Sequence, residues 1–196
     1  MPGTLYVALL RGINVGGNNL IPMTDLRTCF EVLGAKEVAT YIQSGNVIFD
    51  GGDRPTTDWA ATIETALAET FAYDARIVLV DHPTLRRVVD DAPDGFDRDP
   101  DDYRRDVAFL RGPSTAADVI EGLRARDGVD RFVAGQGVVY FERLASRASQ
   151  SRLSKVASLP AYREMTIRNW RTTTTLLGML DERLGDDITP LSSAET

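Results

Sequence analysis

Apolar residues in the first part of the chain alternate between strand-like runs and helical spacing. The run VALLRG at 7–12 predicts a strand, and apolar residues at i, i+3, i+4 and i+7 predict a helix over 24–33. TYIQ and VIF flank Ser44-Gly45-Asn46, which predicts a hairpin. A helix over 57–71 and a strand over 76–80 complete the order β-α-β-β-α-β.

The second part repeats this order, starting 100 residues later with VAFLRG at 107–112. A helix is predicted over 115–126, and RFVA and VVYF flank a Gly135-Gln136-Gly137 turn. A helix beginning near Ser151, the run MTIRN and a last helix over 170–184 follow. The pattern predicts an α+β protein with two tandem ferredoxin-like (βαββαβ) plait domains and an added C-terminal helix.

The predicted boundaries follow from where the pattern breaks. The first ferredoxin-like domain covers 1–82, and 83–103 holds a short helix opened by Pro83 and an acidic linker rich in Asp, Pro and Gly. The second domain covers 104–185, and the polar tail 186–196 is expected to be disordered.

In this topology the loop after the first strand and the following hairpin leave the sheet at the same end. Arg11, Gly12, Asn14 and Asn18 are therefore expected beside Gln43, Ser44 and Asn46. In the second domain the third and fourth strands end together, which gathers the helix start at 149–155 and the sequence Arg168-Asn169-Trp170. Whether the two polar ends face one cleft depends on domain packing.

Charge distinguishes the second polar end from the rest of the chain. The whole chain carries a net charge of −7, which argues against a protein that coats nucleic acid with its entire surface. Residues 141–171, in contrast, contain seven basic and two acidic residues. This segregation favours a local site for an anion.

The glycine-rich loop LLRGINVGGNN is a candidate anion nest. Gly12 and Gly17 have P-loop spacing, but Asn18-Asn19 stand where Lys and Ser/Thr are required. Asn14 also breaks the dinucleotide-binding pattern. Gly and Asn tolerate positive φ, so the backbone N–H groups near Gly16 and Gly17 can turn toward an anion. The alternative is a tight strand-to-helix loop without a ligand.

Two further clusters have both a binding and a structural interpretation. Ser151, Arg152 and Lys155 at a helix start suit a phosphate or carboxylate, or else a serine caps the helix beside a solvated basic face. Trp170 beside arginines could stack on a nucleic-acid base, or else Asn169 caps the last helix and Trp170 packs in the core.

The sequence contains few of the residues that metal sites and nucleophilic catalysis require. His82 is the only histidine and Cys29 the only cysteine, which excludes histidine-clustered and cysteine-rich metal sites. We expect no metal site and no cofactor, and name no catalytic residue. The N-terminal apolar run is too short for a signal peptide or a membrane span, so we expect a cytoplasmic protein without a membrane partner.

Three stretches, YVALLRGINVGGNNLIPMTDLR, TYIQSGNVIF and RNWRTTTTLL, resemble the bacterial proteins grouped as domain of unknown function 1697. The likeness runs over about residues 4–180 and implies two α/β plaits in tandem, but no reaction. Members of that family usually carry lysines where this chain has Asn18 and Leu20, and asparagine where it has Arg171. If those lysines bind an anion, this chain lacks two of the positive charges.

The leading hypothesis is a small phosphate- or carboxylate-bearing ligand, with nucleotides among the candidates, bound at the polar ends of the two plaits. Arg11, Asn14, Gln43, Ser44 and Asn46 would form one wall, and Arg152, Lys155, Arg168 and Asn169 the other. The alternatives are a single-stranded RNA or DNA binding module, which the negative net charge disfavours, and a protein-interaction adaptor. The sequence decides neither enzymatic activity nor oligomeric state.

Overall fold

The apolar segments of the chain form eight strands, which pair into two four-stranded antiparallel sheets. Helices between the strands complete an α+β architecture. This computed structural model describes residues 3–14 and 20–186. The elements up to the end of the first sheet are β1 Leu5–Leu10, α1 Met23–Val32, β2 Lys36–Tyr41, β3 Asn46–Asp50, α2 Thr56–Phe71 and β4 Ile77–Asp81. Of the tail predicted over 186–196, Asp186 ends the last helix, and 187–196 lie outside the described residues.

The remaining elements form the second sheet and the helices around it. They are α3 His82–Asp90, β5 Tyr103–Leu110, α4 Ala116–Leu123, β6 Asp130–Gly135, β7 Val138–Leu144, β8 Met165–Asn169 and α5 Trp170–Asp186. The strand orders are β2-β3-β1-β4 and β6-β7-β5-β8. Each element differs from the prediction by a few residues at its ends, apart from one helix described next.

The helix predicted to begin near Ser151 does begin there, but as a 3-10 helix rather than an α-helix. Three 3-10 helices, Ala145–Gln150, Arg152–Ser158 and Pro160–Glu164, fill this connection. Serine side chains bond to nearby backbone there: the Ser151 hydroxyl accepts from the Leu153 N–H, and Ser154 donates to the Ser151 carbonyl. Pro160 then removes a backbone donor. Apolar spacing alone did not reveal this local competition.

Side-chain caps fix where two of the helices begin. The Asp81 carboxylate accepts from the Thr84 N–H at 2.9 Å and starts α3. Thr115 and Asp118 form a reciprocal capping box that starts α4.

Three hydrophobic clusters hold the sheets together. One lies between the first sheet and α1 and α2, and another between the second sheet, α4 and the 3-10 helices. The central cluster joins the two halves of the molecule, which are the first sheet with its helices (up to Asp81) and the part of the chain that follows. Val7 and Leu9 of β1 share this cluster with Val107 and Phe109 of β5, and with residues of α3 and α5. Phe96, in the stretch predicted to be a linker, is 2% exposed in this cluster.

Ion pairs and hydrogen bonds also cross between the halves. The His82 ring lies 2.7 Å from the Asp181 carboxylate, joining α3 to α5, and Arg86 donates to the same carboxylate. Glu64 of α2 pairs with Arg111, which follows β5. None of the helices in the described part of the chain combines the length and apolar character needed to cross a membrane.

Candidate functional site

The end of β1 and the β2–β3 hairpin meet at one end of the first sheet. Leu9 pairs with Asn46 across the β1–β3 ladder, and the Leu10 N–H donates to the Gly45 carbonyl at 2.8 Å. Gly45 has φ +74, and a Cβ there would lie 2.8 Å from the Leu10 Cβ. The close approach therefore requires glycine, and it brings the two polar loops together as the topology predicted.

Arg168 of β8 reaches these loops from the second half. Its Nε donates to the Asn46 Oδ1 at 2.5 Å, and its Nη2 donates to the carbonyls of Leu10, Ser44 and Gly45 at 2.6, 3.1 and 3.2 Å. Its Nη1 donates to the Thr166 hydroxyl and the Ile167 carbonyl within β8. The guanidinium thus fastens the hairpin and the end of β1 to the second sheet.

The positive charge of Arg168 is buried and has no carboxylate partner among the described residues. The residue is 8% exposed, and all its hydrogen bonds go to uncharged oxygens. Burial lowers the pKa of Arg168 to about 10, and the nearby Tyr73 opposes this lowering. A cation held this way projects a positive potential into the space beside it.

A cleft of about 490 Å³ lies beside Arg168, between the two halves. Its lining includes three arginines and one carboxylate, so the charge facing the space is net positive. The side chains used below are Arg11, Tyr73, Asp74, Arg76, Tyr162 and Arg168. The volume is in the range typical of small-molecule sites.

Arg11 and Arg76 supply further positive charge to the lining of the cleft. The Arg11 guanidinium carbon lies 4.3 Å from the centre of the Tyr162 ring, a cation–π contact that fixes it in place. Arg76 is exposed, and its nearest carboxylate oxygen, on Glu164, is 4.0 Å away. An exposed pair at this distance contributes little, so Arg76 keeps its capacity to attract an anion.

The structure separates the predicted first wall into residues that face the cleft and residues that support it. Arg11, Gly12 and Ser44 line the cleft. The Asn14 amide donates to the Ile21 and Gln43 carbonyls, and its Oδ1 accepts from the Ile21 N–H, closing the loop. Gln43 is exposed outside the lining, and buried Asn46 holds the hairpin and Arg168.

Gly16, Gly17 and Asn18 lie outside the described residues. Of the predicted nest, the structure describes Gly12 and Asn14, with φ of 72° and 53°. Both therefore adopt the positive φ that their residue types tolerate.

Of the predicted second wall, only Arg168 lines the cleft. Ser151 is 3% exposed and caps a short 3-10 helix. The backbone N–H of Arg152 donates to the Asp130 carboxylate at 2.9 Å, so it is not available to bind an anion. Lys155 is exposed on the same segment.

Asn169 and Trp170 have the structural roles foreseen as alternatives. The Asn169 Oδ1 accepts from the Thr172 N–H at 2.7 Å at the start of α5. Trp170 packs edge-on against Phe96 with ring centres 5.0 Å apart, in contact with the central core.

Tyr73, Arg76 and Tyr162 were not foreseen as site residues. Tyr73 follows α2, whose last turn ends at Ala72 with φ 51°. Arginine and tyrosine are common at the ends of strands and helices, so their positions in the sequence did not mark these residues as part of a site. Only the packing of the two halves, which brings Tyr162 under Arg11, marks them as neighbours.

Comparisons with known proteins identify relatives but no activity. A family model described as "Protein of unknown function (DUF1697)" matches residues 4–140. A solved structure of a conserved bacterial protein from Streptococcus pneumoniae is similar, with 27% identity and a TM-score of 0.80 over 90% of this chain and 98% of that one. The search of curated proteins finds no match.

Proposed function

Because this chain belongs to the DUF1697 family of proteins of unknown function, we propose its function from the cleft itself: the protein binds a small ligand carrying a phosphate or carboxylate group, with nucleotides among the candidates. The ligand would lie between the two halves, with its anionic group near Arg11 and Arg168 and the remainder toward Arg76.

One observation carries this proposal: the buried Arg168 cation lacks a carboxylate partner among the described residues and borders a cleft with two more arginines. Holding an unneutralised charge in a poorly hydrated place is unfavourable, so an arriving anion gains more there than at the surface. The chain as a whole is acidic, at −7, which makes a positive cleft more distinctive.

The fold proposal supports this location. We propose that each sheet with its helices is a ferredoxin-like plait, the first within 1–82 and the second within 104–185. The matching strand orders, β2-β3-β1-β4 and β6-β7-β5-β8, support it. In such a pair, the cleft lies where the β1–α1 loop of one plait meets the last strand of the other.

Thermal stability in the presence of anions tests the binding proposal. Inorganic phosphate, citrate, sugar phosphates and nucleotides would be titrated to millimolar levels against the full chain. A ligand at 100 times its dissociation constant adds about 2.7 kcal/mol to the free energy of unfolding, a readily measured shift. Absence of stabilisation by every anion would refute the proposal.

Matched variants locate the site. Arg11→Gln and Arg76→Gln remove charge from the cleft without touching the Arg168 hydrogen bonds, and we expect both to reduce the stabilisation. Arg152→Gln removes an exposed charge from the cluster outside the cleft and should leave it unchanged. The opposite pattern would place the anion at the 3-10 segment instead.

A further inference from the structure

Tyr73 is a buried polar side chain in the lining of the cleft. It is 8% exposed, and its hydroxyl forms no hydrogen bond with the other described residues. A tyrosine this deeply buried usually places its hydroxyl against a partner. The hydroxyl is not among the fully enclosed unpaired polar atoms of the described residues, so it opens to the cleft, where it is available to donate to a group that enters.

The two arginines closest to Tyr73 in charge influence, Arg168 and Arg11, differ in what they can donate to a ligand. Arg168 contributes charge, but its N–H groups are engaged with Asn46, Leu10 and neighbouring oxygens. The Arg11 side chain forms no hydrogen bond or ion pair within the described chain, and its guanidinium carbon lies 4.3 Å from the centre of the Tyr162 ring. The edge of Arg11, with paired N–H groups, remains available for a bidentate contact.

The protonation state of Tyr73 fits a donor role. Burial raises the pKa of its hydroxyl, against the opposing influence of the Arg11 and Arg168 cations, while Asp74 raises it further. The group is therefore a neutral donor at physiological pH. It adds a directed hydrogen bond without adding charge.

Charge and oxygen count together narrow the ligand class. Three arginines and Asp74 give the lining an excess of two positive charges. A phosphate monoester carries about −1.5 to −2 charges at pH 7 and presents three terminal oxygens, whereas a carboxylate carries one charge and two oxygens. Two oxygens for Arg11 and a third for Tyr73 match the phosphate group.

We propose that the cleft selects a small phosphate monoester in its dianionic form, with the Tyr73 hydroxyl donating to one phosphate oxygen and Arg11 holding two others. This inference rests on the proposed function and makes it more specific. Tyr73 would then determine specificity between phosphate monoesters and other anions.

Three simple probes separate the ligand classes. Methyl phosphate, dimethyl phosphate and acetate would be titrated into the full chain at pH 7.5 by calorimetry. We expect methyl phosphate to bind at least about tenfold more tightly than the other two, since one added charge-assisted contact is worth about that much. Equal binding of dimethyl phosphate or acetate would overturn the phosphate assignment while leaving anion binding intact. No binding of any probe would count against both.

Variants of the two donors test their assignment. Tyr73→Phe should weaken methyl phosphate binding about tenfold and leave the melting temperature of the free protein unchanged, because the hydroxyl has no protein partner among the described residues. Arg11→Lys preserves charge but not the paired N–H groups, and should weaken binding similarly. Unaltered affinity in Tyr73→Phe would refute the donor role. Tyr103→Phe, outside this cleft, is the matched control.

Discussion

Replacing Arg168 with methionine tests whether this one guanidinium joins the two halves. Methionine has a similar length and fits apolar surroundings, but it donates no hydrogen bond. The change leaves four acceptors of the first half without their donor: the Asn46 side-chain oxygen and the carbonyls of Leu10, Ser44 and Gly45. It also removes the buried charge.

The expected loss of stability follows from these two opposing effects. The variant loses six hydrogen bonds, four to the first sheet and its hairpin and two within β8, and at about 1–1.5 kcal/mol each this costs about 6–9 kcal/mol. Removing the cation recovers about 3 kcal/mol, which corresponds to the lowering of the Arg168 pKa to about 10. We expect Arg168→Met to reduce the free energy of unfolding by at least about 3 kcal/mol, and the melting temperature by at least about 6 °C.

Urea unfolding of the wild type and the variant measures this difference. Arg152→Met is the matched control, since Arg152 is exposed and should change stability by less than about 0.5 kcal/mol. If Arg168→Met were as stable as the control, the hydrogen bonds from Arg168 would not outweigh its burial. The explanation of how the halves are joined would then be wrong.

Other elements give independent expectations. Gly45→Ala should cost about 2 kcal/mol or more in urea unfolding, because its φ is +74° and a Cβ would contact β1. Gly178→Ala, in α5 with open space, should instead stabilise by about 0.5–1 kcal/mol; the same sign for both would refute the geometry. Thr115→Ala removes a capping box and should cost about 1 kcal/mol, measured the same way. Burial of Asp181 opposes its ionisation, but hydrogen bonds from His82 and an arginine hold its pKa below the usual range. The contribution of ionised Asp181 to the free energy of unfolding is therefore present above about pH 4 and is lost as the pH falls further. The difference in stability between the wild type and Asp181→Asn should shrink on acidification, and a constant difference would contradict this explanation.

Local signals in the sequence predicted most elements and the position of the first polar surface. Strand-length apolar runs and the Ser44-Gly45-Asn46 turn placed the β1 end beside the hairpin, where the structure also has them. The helix near Ser151 begins where predicted, but it is a 3-10 helix, because serine hydroxyls and Pro160 favour 3-10 turns over an α-helix. Helical spacing does not report such competition.

The composition of the cleft could be predicted only in part, since it depends on how the halves pack. Arg168 was identified from a basic segment, but as a ligand-facing group rather than a clamp between halves. Its partners at the first sheet lie over 120 positions away along the chain. Tyr73 and Tyr162 carried no distinguishing pattern, and they become notable only beside Arg11.

The helices that follow the two sheets are shared between the halves. In α3, the Val88 carbonyl accepts from the Tyr140 hydroxyl of the second sheet at 2.8 Å, and α5 contacts β1 of the first. Neither sheet can therefore keep its inner face covered if the chain is divided between them. Calorimetry of the intact chain should give a single cooperative transition, and fragments cut within 91–102 should be recovered as a complementing pair rather than as two independent folding units.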